Sequence, residues 1–389
     1  MTKSRVKCIT VITVRGKQMP RGAHSPSSIS CRALSILVAS VVLPALLSLS
    51  AGCGGKGGSG GSMKYVDAHV HLRANSPAGY GEAASSALTS MDELGIVESL
   101  ILPPPRPAGA YAADDYKPLA AVANAHTGRF GFLAGGASLN PIIQKAAAAG
   151  QVTEADRQQF TANAEAVAAS GAVGYGEMTA EHFSLGPDHP YESAPPDNPL
   201  FLLLSDIAAE KHMPIDIHME AVPSDSFPFP LDQYTSRGVG NPGTLKGNIE
   251  PFKLLLAHNR NTKIIWDHIG WDHTGYRTPE ATRQILSENP NLYMSIKYHP
   301  DSPEQNRIMQ DGVIKPEWLK VFKEYPDRFV FGSDMFYRPP GAPATGPGGP
   351  EGPRTILDQL PANLARKFAY ENANSIFGLK VTASDAKLK

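Results

Sequence analysis

From Lys64 onward, short apolar runs of strand-like character alternate with longer stretches of helical periodicity. The strand candidates are residues 65–72, 97–102, 130–137, 172–178, 214–219, 262–268, 292–297 and 329–333. Between them, residues 81–94, 116–127, 154–170, 198–212, 249–259, 278–289 and 316–325 repeat apolar positions at helical spacing, and 360–377 follows the last strand. Eight β/α units in a body of about 320 residues predict an α/β fold, a single-domain (β/α)8 barrel of the TIM type. A doubly wound sheet is the alternative, but no Gly-rich dinucleotide fingerprint follows a strand.

Four connections after strands are long: 75–79, 185–196, 220–247 and 337–353. The Pro/Gly-rich run 338–350 excludes helix or strand interior. In a barrel, all four fall on the C-terminal face, where they would cover a substrate. Disorder is the other reading for 341–349.

Chemistry enters at the strand ends. His69 and His71, in Asp67-Ala-His-Val-His71, lie two apart and so share one face of the first strand. His218 ends the fifth strand and His268 the sixth. Glu177 on the fourth strand and Asp334 after the eighth fit the same rule. Six donor side chains on five strands would converge at the barrel mouth and could hold a divalent ion. His126, His212 and His258 precede strands and belong to the barrel bottom, where a helix C-terminus favours them. His182 and His189 fall in a polar stretch and read as surface residues.

These pieces, with Phe331-Gly-Ser-Asp334 and Tyr370-Glu-Asn-Ala-Asn-Ser-Ile-Phe-Gly-Leu379, resemble the amidohydrolase superfamily, especially its amidohydrolase 2 branch, over roughly residues 65–379. The resemblance implies a distorted barrel with one or two divalent metals. It would make His69, His71, His218 and Asp334 metal ligands. His268 would be a second-metal ligand or a general acid/base. Many binuclear relatives bridge their metals with a carboxylated lysine. Here Glu177 stands in that place, as in TatD-type deoxyribonucleases, and would be a bridging ligand or a hydrogen-bond partner of a ligand.

The donor set predicts water activation, with Asp334 taking the proton and passing it to the leaving group. In a mononuclear site His268 is the better base. Zinc suits the donors best, and manganese, iron or cobalt also fit. Candidate substrate-binding residues are Arg106, Lys297, Tyr298, His273 and Arg338, whose cations would suit a carboxylated molecule. His273 could instead hold a ligand in place. The leading expectation is a hydrolase cleaving an amide, lactone or ester. The rivals are a mononuclear decarboxylase of the aminocarboxymuconate-semialdehyde type, a phosphoester or phosphodiester hydrolase, and a tethered binding protein without activity.

Composition narrows these. Lys+Arg number 36 and Asp+Glu 37, a net charge of −1, so no basic field favours nucleic acid. All three cysteines, Cys8, Cys31 and Cys53, precede the barrel, which excludes thiolate ligands and disulfides within it. Residues 1–53 read as an export signal: basic residues, an apolar run over 33–49, then Ser50-Ala-Gly-Cys53. They resemble a lipoprotein signal with lipidation at Cys53, which would anchor an exported protein to the membrane. An uncleaved anchor is the other reading, and Met19 is a second candidate start. Residues 54–63 are a flexible Gly/Ser-rich linker, 64–380 the barrel and 381–389 a C-terminal tail. Self-association is compatible with the sequence and not specified by it.

Overall fold

In the computed structural model, which describes residues 63–387 apart from 188, 347, 348 and 350, the apolar runs form a closed parallel barrel. The export segment, Cys53 and most of the linker lie outside the described residues. The strands are β1 (Tyr65–Leu72), β2 (Ile96–Ile101), β3 (Phe130–Gly135), β4 (Gly174–His182), β5 (Ile215–Met219), β6 (Ile264–Ile269), β7 (Leu292–Ile296) and β8 (Phe329–Phe331). Each pairs with the next in parallel, and Asp67 opposite Phe331 closes β1 on β8. A short strand, β9 (Met335–Tyr337), then extends along the end of β1.

Parallel strands are covered on both faces, and every residue of β1 is buried, including the polar Asp67, His69 and His71. The helices α1 (Pro77–Leu94), α2 (Tyr116–Ala125), α3 (Asn140–Ala149), α4 (Glu154–Ala169), α5 (Pro199–Lys211), α6 (Ile249–His258), α7 (Pro279–Glu288) and α8 (Pro316–Glu324) surround the barrel. Helix α8 shows the packing. Trp318, Val321 and Phe322, at spacing i, i+3, i+4, are its buried face. Phe322 meets Phe329 of β8 at 5.0 Å and Phe368 at 5.3 Å between ring centres. Burying each such side chain contributes about 1.5–3 kcal/mol.

Helix starts follow their caps. Ser76 accepts a bond from the Gly79 N–H, so α1 begins inside the 75–79 connection and little of that loop remains. Thr153 and Asp156 form a reciprocal capping box on α4. Helix α3 was not expected. The stretch 360–377 is helical in three pieces, with a π turn over Lys367–Glu371 between two α-helical turns. The chain end packs back on the barrel base: Lys64 N–H donates to the Ala386 carbonyl at 2.7 Å, and Val381 and Ala386 are buried. Among the described residues, no helix is long and apolar enough to cross a membrane.

On the opposite face the long connections form a roof over the strand ends. A small apolar cluster of Phe183, Val222, Phe229 and Leu245 packs beneath it, apart from the main core.

Candidate metal centre

Strand parity brings the six predicted donors together. His69 and His71 both point inward from β1, with ring centres 5.1 Å apart. The His268 ring lies 4.9 Å from His69 and 4.8 Å from His218. Glu177 sits among all four imidazoles, and its two oxygens divide them. Oε2 lies 3.4 Å from His71 Nε2 and 3.7 Å from His69 Nε2. Oε1 lies 2.9 Å from His218 Nδ1 and 3.6 Å from His268 Nε2. Asp334 Oδ1 approaches His71 Nε2 at 3.1 Å and His69 Nε2 at 3.9 Å. Its Oδ2 is ion-paired with Lys297 at the end of β7.

The backbone is bent to reach this arrangement. His268 (φ 64°) and Asp334 (φ 55°) both occupy the left-handed region, which is uncommon for residues with a Cβ. Gly332 lets the chain pass β1: a Cβ there would lie 2.8 Å from the His69 Cβ. Asp67 ties the turn down, accepting from Ser333 N–H at 2.9 Å and Ser333 Oγ at 2.5 Å. The Asp334 N–H donates to the His69 carbonyl at 2.9 Å.

Each β1 imidazole is fixed on the side away from the cluster. His71 Nδ1 meets the Leu102 carbonyl at 2.9 Å, so Nδ1 carries the proton and Nε2 presents a lone pair. His69 Nδ1 faces Asp216 at 3.4 Å and Asp267 at 3.5 Å. Nε2 of both residues is buried without a hydrogen-bond partner. Orphaned imidazole nitrogens beside two carboxylates fit a divalent cation, which needs such donors and satisfies them. Carboxylates or carbonyls behind the ligands are the usual means of orienting them.

The electrostatics agree. Burial would raise Glu177, but the hydrogen bond with His218 and the close His268 and His69 imidazoles hold it well below the ordinary carboxylate range. Burial opposes ionisation of Asp334 too, and the Lys297 charge is the largest influence that outweighs it. Burial lowers His69, yet Asp216 and Asp267 push it up; burial also lowers His218, yet Glu177 lifts it to about 9. His268 is pushed down to about 3 by burial and Lys297. Two ionised acids that draw positive charge inward are the electrostatic complement of a metal ion.

A cavity of about 270 Å³ opens onto Glu177, His218 and Asp334. Of the predicted substrate residues, Arg106, Lys297 and His273 line it, with Arg106 on the exposed rim. Tyr298 and Arg338 do not line it. Tyr298 follows Lys297 with opposite parity and packs against Gly352.

The surface reading of His182 and His189 is overturned. Strand β4 runs on past Met178 because Thr179 and Glu181 pair with β5 while Glu181 and His182 pair with Glu192–Ser193. His182 is buried, stacks on His189 at 4.1 Å and meets His218 at 4.8 Å. Both line the cavity. Cross-strand pairing of a polar segment leaves no local sequence signal. Arg73, Trp271, Glu220 and Phe336 also line it. Arg73, one residue past β1, was findable by the strand-end rule; its guanidinium lies 5.4 Å over the Phe336 ring. Asp216 and Asp267 were findable too, each one or two residues before a strand-end histidine.

Fold and site together define a metal-dependent hydrolase built on a (β/α)8 barrel. The chain belongs to the amidohydrolase family, whose Amidohydro_2 model matches residues 66–379. No curated protein matches the chain. Similar solved structures include a probable 2-pyrone-4,6-dicarboxylic acid hydrolase from Acinetobacter baumannii, 12% identical over 82% of this chain and 100% of that one, with a TM-score of 0.43. A dihydroxybenzoic acid decarboxylase from Polaromonas sp. JS666 with bound manganese is 12% identical, covering 83% and 98%, TM-score 0.47. Amidohydrolase 2 from Bifidobacterium longum subsp. infantis is 15% identical, covering 82% and 100%, TM-score 0.32.

Proposed function

We propose that this enzyme activates water to cleave a C–N or C–O bond, in an amide, lactone or ester, within a small carboxylated molecule. The observation that carries this reading is Glu177, one oxygen turned to the β1 histidines and the other to His218 and His268. His69, His71 and Asp334 would hold one divalent ion, His218 and His268 a second, with Glu177 between them. Zinc suits this donor set best. When bound, such an ion lowers the pKa of water to about 7 and polarises the scissile carbonyl.

The chain's own residues do the rest. Asp334, kept ionised by Lys297, accepts the proton released from water and delivers it to the leaving group. The buried surround excludes bulk water, and the cavity limits substrate size. Arg73 and Arg106 on its wall add positive charge that supports a carboxylated substrate.

A second reading, decarboxylation at a single ion, draws support from the 2.9 Å contact between His218 and Glu177 Oε1, which uses the oxygen a second ion would need. Metal analysis of the purified chain, then a screen of lactones, amides, esters and aromatic carboxylates, separates them. Two ions per chain with hydrolysis support the first reading. One ion with CO2 release supports the second, and full activity after chelation would sink both. The lipoprotein reading would place this chemistry outside the cytoplasm; palmitate incorporation that survives Cys53→Ser would reject it.

A further inference from the structure

His273 lies outside the six-residue cluster, yet its ring belongs to the same cavity wall. It is only 8% exposed. Its Nδ1 meets Asp232 Oδ2 at 2.7 Å, and its backbone N–H donates to Glu220 Oε2 at 3.2 Å. With Nδ1 engaged, Nε2 is the ring nitrogen that remains for a ligand. Trp271 packs edge-on at 5.1 Å, with Phe183 at 6.0 Å and Tyr234 at 6.2 Å.

Asp232 is itself clamped. Its Oδ1 accepts from the backbone N–H groups of Tyr234 at 2.7 Å and Thr235 at 2.9 Å. Tyr234 in turn donates its hydroxyl to Asp301 at 2.7 Å. The pair is therefore a built device joining the 220–247 connection to the loop after β6. Burial alone would lower the His273 pKa, but the carboxylates of Glu220, Asp232 and Asp272 outweigh it. The ring leans toward the cation, a double donor. The other cations of the wall are placed differently. Lys297 is committed to Asp334, Arg73 lies over Phe336, and Arg106 stands at the exposed rim.

We propose that His273, positioned by Asp232, grips a carboxylate of the substrate through Nε2–H and so selects carboxylated molecules over neutral ones. This rests on the hydrolytic reading of the site, and two measurements keep the failures apart. The first compares kcat/KM of the zinc-loaded full chain for γ-butyrolactone and for its γ-carboxylated counterpart. A charge-assisted hydrogen bond gives wild type a preference of roughly 10- to 100-fold for the carboxylated lactone. His273→Gln collapses that ratio through KM, and Asp232→Asn lowers it in the same direction by a smaller factor. A structural role would depress both substrates equally and leave the ratio unchanged, which would overturn the proposal while hydrolysis stands.

The second measurement is calorimetric binding of benzoate against benzamide, which needs no turnover. A loss of roughly tenfold or more in benzoate affinity on His273→Gln, with benzamide unaffected, supports the assignment even if neither lactone is cleaved. Equal benzoate affinity in wild type and variant rejects it.

Discussion

The donor cluster at the strand ends and the loops around the cavity are built by different means. On one side, β1, β4, β5, β6 and the turn after β8 present His69, His71, Glu177, His218, His268 and Asp334 from strand ends in the barrel core. On the other, His182, His189, Asp232 and His273 come from loops and a strand extension, held by side-chain hydrogen bonds and a four-residue apolar cluster. The difference teaches where each property resides. A donor on a strand end inherits its direction from a backbone that the whole barrel fixes. A donor on a loop is only as well aimed as the few contacts that hold it, so the loops are where specificity can change without loss of the fold.

The sharpest break of this contrast is Asp334→Asn. It removes the proton acceptor and one donor while keeping the volume, and kcat should fall roughly 10²- to 10⁴-fold. Steady-state kinetics on the best substrate of the screen check it. Loss of less than tenfold would mean that the strand-end cluster is not the reaction centre.

Next is Asp267→Asn, which leaves every donor in place but removes the anionic support behind His69. Burial and the neighbouring Asp267 charge raise the Asp216 pKa, whereas at Asp267 burial is outweighed by His69 and the carboxyl is held below its usual range, so Asp267 carries the charge of the pair. Metal affinity should drop about 10- to 100-fold, measured by competition with a chromogenic chelator. An unchanged affinity would show that the Asp267 carboxylate does not tune the cluster.

The smallest effect belongs to the loop side. Burial raises Glu181, beside Ser193, from 4.5 to about 7. An acid with a raised folded pKa ionises more readily unfolded, so it subtracts stability as pH rises from about 4.5 through about 7. Glu181→Gln should flatten that part of the Tm-versus-pH curve and leave metal content alone. A wild-type curve already flat there would remove Glu181 from the account.

Much of the barrel and all six cluster residues were legible because parallel strands are buried on both faces and their ends fall on one rim. Lys297 was legible as the end of an apolar strand, and strand parity could have excluded Tyr298. What was not legible depends on partners distant in sequence. Strand β4 reaches His182 only through pairing with Glu192–Ser193, and α3 is tied in by Asn140, which bonds Glu192 at 2.6 Å and the Thr179 N–H at 3.0 Å. The extension of β4 carries no apolar pattern that predicts it, whereas α3 does, with Ile142, Ile143 and Ala146 buried at helical spacing behind Pro141, and was missed.

The left-handed backbone at His268 and Asp334 sets a tension between usefulness and durability. Each residue holds a conformation costing of order 1 kcal/mol for a side chain with a Cβ, at the point where the chemistry needs it. Glycine would relax the chain at either place and remove a donor. Selection for heat resistance alone would therefore push these two positions toward an inactive barrel, and only the demand for turnover keeps histidine and aspartate there.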